Sequence, residues 1–147
     1  MTNFSLRPAR EAESVQIKKL IHLVGINPMA LDWKRFVVAV NDRDEMIGCG
    51  QLKPHGKDIL ELASLAVYPG YRGQGVARAL IEYLLKESLR PLYLMCESSL
   101  GPLYERFGFR GISYEEMPRY FQRISKLAGL VTSLARREEY LLVMKLQ

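Results

Sequence analysis

One stretch of this 147-residue chain limits its fold more than any other. An apolar, β-favouring run from Ile59 to Val67 meets a break at Tyr68-Pro69-Gly70-Tyr71, then the six residues Arg72-Gly73-Gln74-Gly75-Val76-Ala77, then a helical pattern. Proline removes a backbone donor and glycine supplies turn geometry, so the strand ends at the break. From Gly75 onward Val76, Leu80, Tyr83 and Leu84, widened by Ala77 and Ile81, recur at helical spacing and leave Arg78, Glu82, Lys86 and Glu87 for water. A strand that passes through glycines into a helix presents unpaired backbone N–H groups at the helix's positive end. That arrangement holds a pyrophosphate without a metal. Gly73 and Gly75 let the main chain approach a ligand closely, and Arg72 adds a mobile positive charge.

Two phosphate loops fail against this segment. A Walker-type loop closes on Gly-Lys-Ser/Thr, whereas Gly75 is followed by Val76 and Ala77. A dinucleotide fingerprint places its third glycine at position 78, which is Arg78.

The rest of the chain reads as strands and helices around that segment. Phe4 to Arg7 is a short strand stopped by Pro8; Ile17, Leu20, Ile21 and Val24 mark an amphipathic helix that ends by Asn27-Pro28. Arg35 to Val40 and Glu45 to Lys53 are strands joined by the polar turn Asn41-Asp42-Arg43-Asp44, and His55-Gly56-Lys57-Asp58 turns into the next. After the long helix, Leu92 to Cys96 is a buried strand and Tyr140 to Leu146 a final one. The first three strands predict an antiparallel meander, and the later alternation with helices predicts parallel pairing, giving a mixed α/β sheet. No repeat or linker divides residues 1–147, which predicts one domain.

Composition narrows the function classes. With 48% apolar and 25% charged residues the chain supports a proper core and is not disordered. No run approaches the ~18 apolar residues of a membrane span, and the N-terminus lacks a signal pattern, which implies a cytoplasmic protein with no membrane partner. Cys49 and Cys96, the two cysteines, lack metal-ligand spacing and read as buried thiols, so neither a disulfide framework nor a metal is expected. The net charge of +5 with a pI near 9.3 is weak support for nucleic-acid binding, and no helix-turn-helix, RNP-type or zinc pattern accompanies it.

Arg72, Gly75 and Ala77 fall in register with the coenzyme A loop of the GNAT superfamily of acyl-CoA-dependent N-acyltransferases. Leu65-Ala66-Val67-Tyr68-Pro69 resembles the end of that family's fourth strand, and Leu103-Tyr104-Glu105-Arg106-Phe107-Gly108-Phe109 resembles its late helix and Gly-Phe turn. The resemblance covers roughly residues 4 to 112. It implies a central mixed sheet flanked by helices, with parallel fourth and fifth strands splayed around the cofactor. It also implies acetyl-CoA as co-substrate, a primary amine as acceptor, and direct transfer in a ternary complex. Arg72, Gly73, Gln74, Gly75, Val76 and Ala77 would then hold the pyrophosphate, and Leu65, Ala66 and Val67 would contribute backbone groups to the pantetheine arm. A backbone N–H near Val67 would stabilise the tetrahedral oxygen. The segment Met29 to Lys34 corresponds to a region that shapes the acceptor pocket.

By the same resemblance Tyr104 stands near the coenzyme sulfur as general acid; an ordinary phenol, with a pKa near ~10, is protonated at neutral pH. The family pattern carries Asn seven residues before this tyrosine, and this chain has Glu97. Glu61 is the candidate base, since a partly buried carboxylate has a raised pKa and shares strand parity with Leu65 and Val67 unless a bulge intervenes. The alternative for Glu61 is a strand-edge charge facing water. His22 and His55 are poorer candidates, one on a helix apart from the motif and one in a turn. Tyr120, Phe121, Ile124, Leu127, Ala128 and Val131 form one helical face, with Arg119, Arg123 and Lys126 on another. The order of turn, helical insert, Arg-Arg and strand loosely resembles the N-acetylglutamate-synthase-like branch, which hints at an α-amino acid or similar small amine. A non-catalytic CoA-binding module is the alternative, and homodimerisation is left open.

Overall fold

A computed structural model describes residues 3–135 and 139–147, with the side chains of 130–135 excluded. The fold is mixed α/β. It packs as two compact units, Met1–Lys53 with Leu62–Ser88, and Pro54–Glu61 with Leu89–Gln147.

The first unit contains β1 (Phe4–Pro8), α1 (Ser14–Val24), β2 (Phe36–Asn41), most of β3 (Met46–His55) and of β4 (Ile59–Val67), and α2 (Val76–Glu87). Their strand order is β1-β2-β3-β4. β1 pairs antiparallel with β2, from Phe4↔Asn41 to Pro8↔Val37, and β2 pairs antiparallel with β3 across an irregularity between Ala39 and Val40. The meander expected from the turns is present. Every residue from Phe36 to Val40 is buried, so this strand is covered on both faces and reads as a continuous apolar run. On one face Ile17, Leu20 and Ile21 of α1 pack with Phe36, Val38, Val40, Met46, Cys49 and Ala66. On the other, α2 lies so close that a Cβ built on Gly48 would stand 3.1 Å from Val76 Cγ1 and 3.0 Å from the Ala66 carbonyl oxygen. Gly25, at φ +73°, ends α1 by donating to the Ile21 and His22 carbonyls.

Within β4 the backbone of Ser64 is left-handed, at φ +57°. Gln51 Nε2 donates to its hydroxyl at 2.8 Å, and the Cys49 thiol donates to its carbonyl at 3.5 Å. A left-handed residue interrupts strand alternation, so the parity linking Glu61 to Leu65 and Val67 does not carry across Ser64.

The second unit holds the hairpin tip 54–61, β5 (Leu92–Glu97), α3 (Gly101–Glu105), β6 (Arg110–Gly111), α4 (Arg119–Ala135) and β7 (Leu141–Leu146). β7 runs antiparallel to both β5 and β6, with Leu92↔Leu146 and Arg110↔Lys145 as partners. Tyr93, Ile112, Phe121 and Val143 form its core, with Ile59, Met95, Met117 and Tyr120 packed against them. Pro102 sits in the first turn of α3, where its missing N–H costs nothing. One residue of the expected α4 face departs from it: Leu127 is 64% exposed. Val131 lies outside the described side chains, and Arg136 and Arg137 outside the described residues.

Candidate active site and cofactor loop

In the first unit, Ala66 and Val67 of β4 are buried and Leu65 is half-buried. The Tyr68 N–H is fixed by the Ile47 carbonyl at 2.9 Å, and the short turn Pro69–Tyr71 closes with Arg72 N–H on the Pro69 carbonyl at 3.3 Å. Gly73 and Gly75 then adopt φ +77° and +84°. A Cβ at either would meet nothing within 4 Å, so these positions need glycine for backbone conformation and ligand approach rather than for packing. The helical ladder of α2 opens with Ala79 N–H donating to the Gly75 carbonyl at 3.0 Å. The N–H groups of Val76, Ala77 and Arg78 stand ahead of that bond, at the end where the helix dipole is positive. Arg72 is exposed and makes no ion pair among the described residues. A cradle of amides with one adjacent guanidinium suits a diphosphate.

The second unit carries Glu61, His55 and Tyr104. Glu61, 3% exposed, has its Oε1 2.6 Å from His55 Nε2. This excludes the solvent-facing alternative for Glu61 and brings forward a histidine that the sequence ranked low. The signal for it was present but indirect: His55 and Glu61 flank a turn whose Gly56 sits at φ +69°, and a tight hairpin brings such positions together. The imidazole stacks on Tyr120 of α4, with centroids 3.7 Å apart and planes 25° from parallel, and meets Phe121 edge-on at 6.1 Å. The ring is therefore clamped. Burial, then the nearby Glu61 charge, raises the Tyr120 phenol above its ordinary value. His22 stays exposed on α1.

Tyr104 is buried in α3, its ring edge-on to Phe109 at 6.2 Å, and no described residue hydrogen-bonds its hydroxyl. Burial, with the neighbouring Cys96, pushes its phenol up to about 12. Cys96 is pushed up to about 11 by burial and Glu97, and Cys49 to about 12 by burial, so both stay thiols at neutral pH. Among the described residues no group of three or more His, Cys, Asp or Glu could hold a metal ion, and no helix is long and apolar enough to cross a membrane.

The sequence model of the acetyltransferase (GNAT) domain matches residues 32–111, more than half of the chain. The chain belongs to the GNAT acetyltransferase family. Among GNAT structures of similar fold is N-acetylglutamate synthase from Neisseria gonorrhoeae complexed with coenzyme A and N-acetyl-glutamate, with a TM-score of 0.76 and 20% identity; the match covers 100% of this chain and 36% of that one. This chain thus spans about a third of that synthase. Rv2747 from Mycobacterium tuberculosis, in complex with CoA and NLQ, is 21% identical with a TM-score of 0.69, covering 95% of this chain and 97% of that one. NAA60 of Arabidopsis thaliana, in complex with a bisubstrate analogue, is 19% identical with a TM-score of 0.61, covering 76% and 86%. At these identities the likeness shows the GNAT fold alone.

Proposed function

We propose that this GNAT domain, acting as one domain over 1–147 in the cytoplasm, is an N-acetyltransferase. It moves an acetyl group from acetyl-CoA to a primary amine of a small molecule, an amino acid or similar, or of a peptide, by direct attack in a ternary complex. The observation that carries this reading is the amide cradle ahead of α2, formed by Arg72, Gly73, Gln74, Gly75, Val76 and Ala77. It would take the diphosphate of coenzyme A, and the main chain of Leu65, Ala66 and Val67 would take the pantetheine arm.

The chemistry needs a neutral amine, which loses a proton as its lone pair attacks the thioester carbonyl carbon. Glu61 is the base in this reading. His55 holds its carboxylate at 2.6 Å and is itself held by the Tyr120 ring, so the acceptor oxygen has little freedom. The C–N bond forms, the tetrahedral oxygen is met by a backbone N–H near Val67, and the C–S bond breaks to release a thiolate. Tyr104 is suited to hydrogen-bond that sulfur. In this reading Tyr104, protonated at neutral pH, is the general acid for the departing thiolate and regains its proton from solvent.

The second reading, a CoA-binding module without turnover, draws on Glu97 at the end of β5, where the family pattern has Asn. Calorimetry with CoA, followed by thiol release from acetyl-CoA against amino acids, polyamines, aminoglycosides and peptides, separates the two. Binding with turnover is expected, and Gly75→Glu should abolish both. Binding without turnover on any amine selects the module. A wild-type chain that does not bind CoA overturns both readings.

A further inference from the structure

Two residues on β3 are buried with less bonding than their chemistry demands. Gln51 and Lys53, two apart on the strand and so on one face, are 0% and 3% exposed. Lys53 Nζ donates to the Met29 carbonyl at 3.1 Å and makes no ion pair among the described residues. An ammonium has three donors, and a carbonyl dipole is a poor substitute for a counter-charge once water is removed. Gln51 Nε2 donates to the Ala30 carbonyl at 3.3 Å and to the Ser64 hydroxyl at 2.8 Å. Its Oε1 is buried and has no hydrogen-bond partner among the described residues.

The two unmet needs are of opposite kind: Lys53 wants an anion and Gln51 Oε1 wants a donor. Their roof is the segment 27–30, exposed throughout, with Met29 71% exposed and Ala30 in the left-handed region at φ +57°. Two side-chain bonds to consecutive carbonyls, Met29 and Ala30, pin that segment down. Alanine adopts such a conformation only when its surroundings impose it.

We propose that Lys53 and Gln51 are the docking site for an acceptor that carries both an amine and a carboxylate, a free amino acid. Its carboxylate replaces the Met29 carbonyl on Lys53 as segment 27–30 lifts, and an N–H of its amine donates to Gln51 Oε1. Gln51 bonds Ser64, the residue before Leu65, so the amine arrives beside the stretch of β4 assigned to the pantetheine arm. This inference rests on the acetyl-transfer reading and narrows its acceptor: a polyamine has no anion for Lys53, and a peptide N-terminus has its carboxyl taken up in an amide.

The test compares thiol release with free L-amino acids and with the same amino acids as their C-terminal amides. Wild type should favour the best acid over its amide by about 10²-fold or more in kcat/KM, because an amide leaves the buried ammonium unpaired. Lys53→Met should remove that preference through KM for the acid, with CoA affinity unchanged, and Lys53→Arg should restore it. Equal use of acids and amides by wild type, or an unchanged ratio in Lys53→Met, overturns the proposal while leaving acetyl transfer intact. Should no amine turn over, calorimetric titration of the CoA-loaded protein with the same amino acids decides. Acid binding that is lost in Lys53→Met supports the site, and no binding of any acid overturns it.

Discussion

In the proposed reaction Glu61 and Tyr104 carry different burdens, and their variants should fail differently. Glu61→Gln keeps the shape and removes the proton acceptor, so turnover is expected to fall by about 10²-fold or more with CoA affinity unchanged; a wild-type rate by thiol release would remove Glu61 as base. Tyr104, with its phenol at about 12, stays protonated from pH 6 to 10. Tyr104→Phe should therefore lower kcat by one constant factor, of order 10²-fold, at pH 7 and at pH 9. A loss that changes between pH 7 and pH 9 would overturn the constant protonation of Tyr104. Both residues were singled out in the sequence, Tyr104 from motif register and Glu61 from a strand parity that the left-handed Ser64 interrupts; the burial of Glu61 comes from the fold. His55 was not legible. Its value comes from a partner six positions away across a turn and from a ring on α4, and neither local pattern nor composition encodes a stack between distant elements. Ser64 was hidden for a similar reason, since no side-chain rule requires a serine at φ +57°; bonds from Gln51 and Cys49 hold it there.

Elements in this chain are fixed by a few tight contacts. Gly48 faces α2 so closely that a new Cβ would meet the Ala66 carbonyl at 3.0 Å and Leu80 Cδ1 at 3.3 Å. Gly48→Val should cost about 1–3 kcal/mol, read as a lowered midpoint in urea unfolding; an unchanged midpoint would mean that α2 shifts freely. The start of the fold is tied by Arg7, whose guanidinium grips Glu13 with two bonds, 2.8 and 2.7 Å, while the Arg10 N–H adds a third at 2.8 Å. Burial alone would raise the Glu13 carboxyl, but these bonds together hold it below its ordinary value of 4.5. Its contribution is thus present above pH 4.5 and disappears as pH falls through the lowered folded value. Glu13→Gln should cost about 2 kcal/mol at pH 7 and progressively less as pH falls below 4.5, measured by unfolding across that range. Strands and helices were legible because hydrophobic period and Pro/Gly breaks act locally; Ile59 to Val67 is the strand found. The face of α4 was over-read at Leu127, because helical spacing gives the width of an apolar stripe only once something covers it.

For the molecule as a whole, ligand binding should register as stability. CoA at about 100 times its dissociation constant should add about 2.7 kcal/mol and raise Tm, whereas Gly75→Glu should unfold at the same temperature with or without it. A rise in Tm for the variant equal to that of wild type would move the cofactor site elsewhere. The fold class and the glycine turn before α2 were legible together because turn chemistry and helix start coincide in six residues. The contact of two polar side chains of β3, Gln51 and Lys53, with the segment after α1 was not legible, since it joins elements distant in the sequence.

The proposed diphosphate cradle is made of main chain, and this has an evolutionary consequence. Peptide amides are common to every residue type, so substitutions at Gln74, Val76 or Ala77 can accumulate without loosening the hold on an acyl carrier. The proposed reacting groups, by contrast, are single side chains, each lost by one substitution. A descendant of this protein could fall silent as a catalyst and survive as a gauge of acyl-CoA supply.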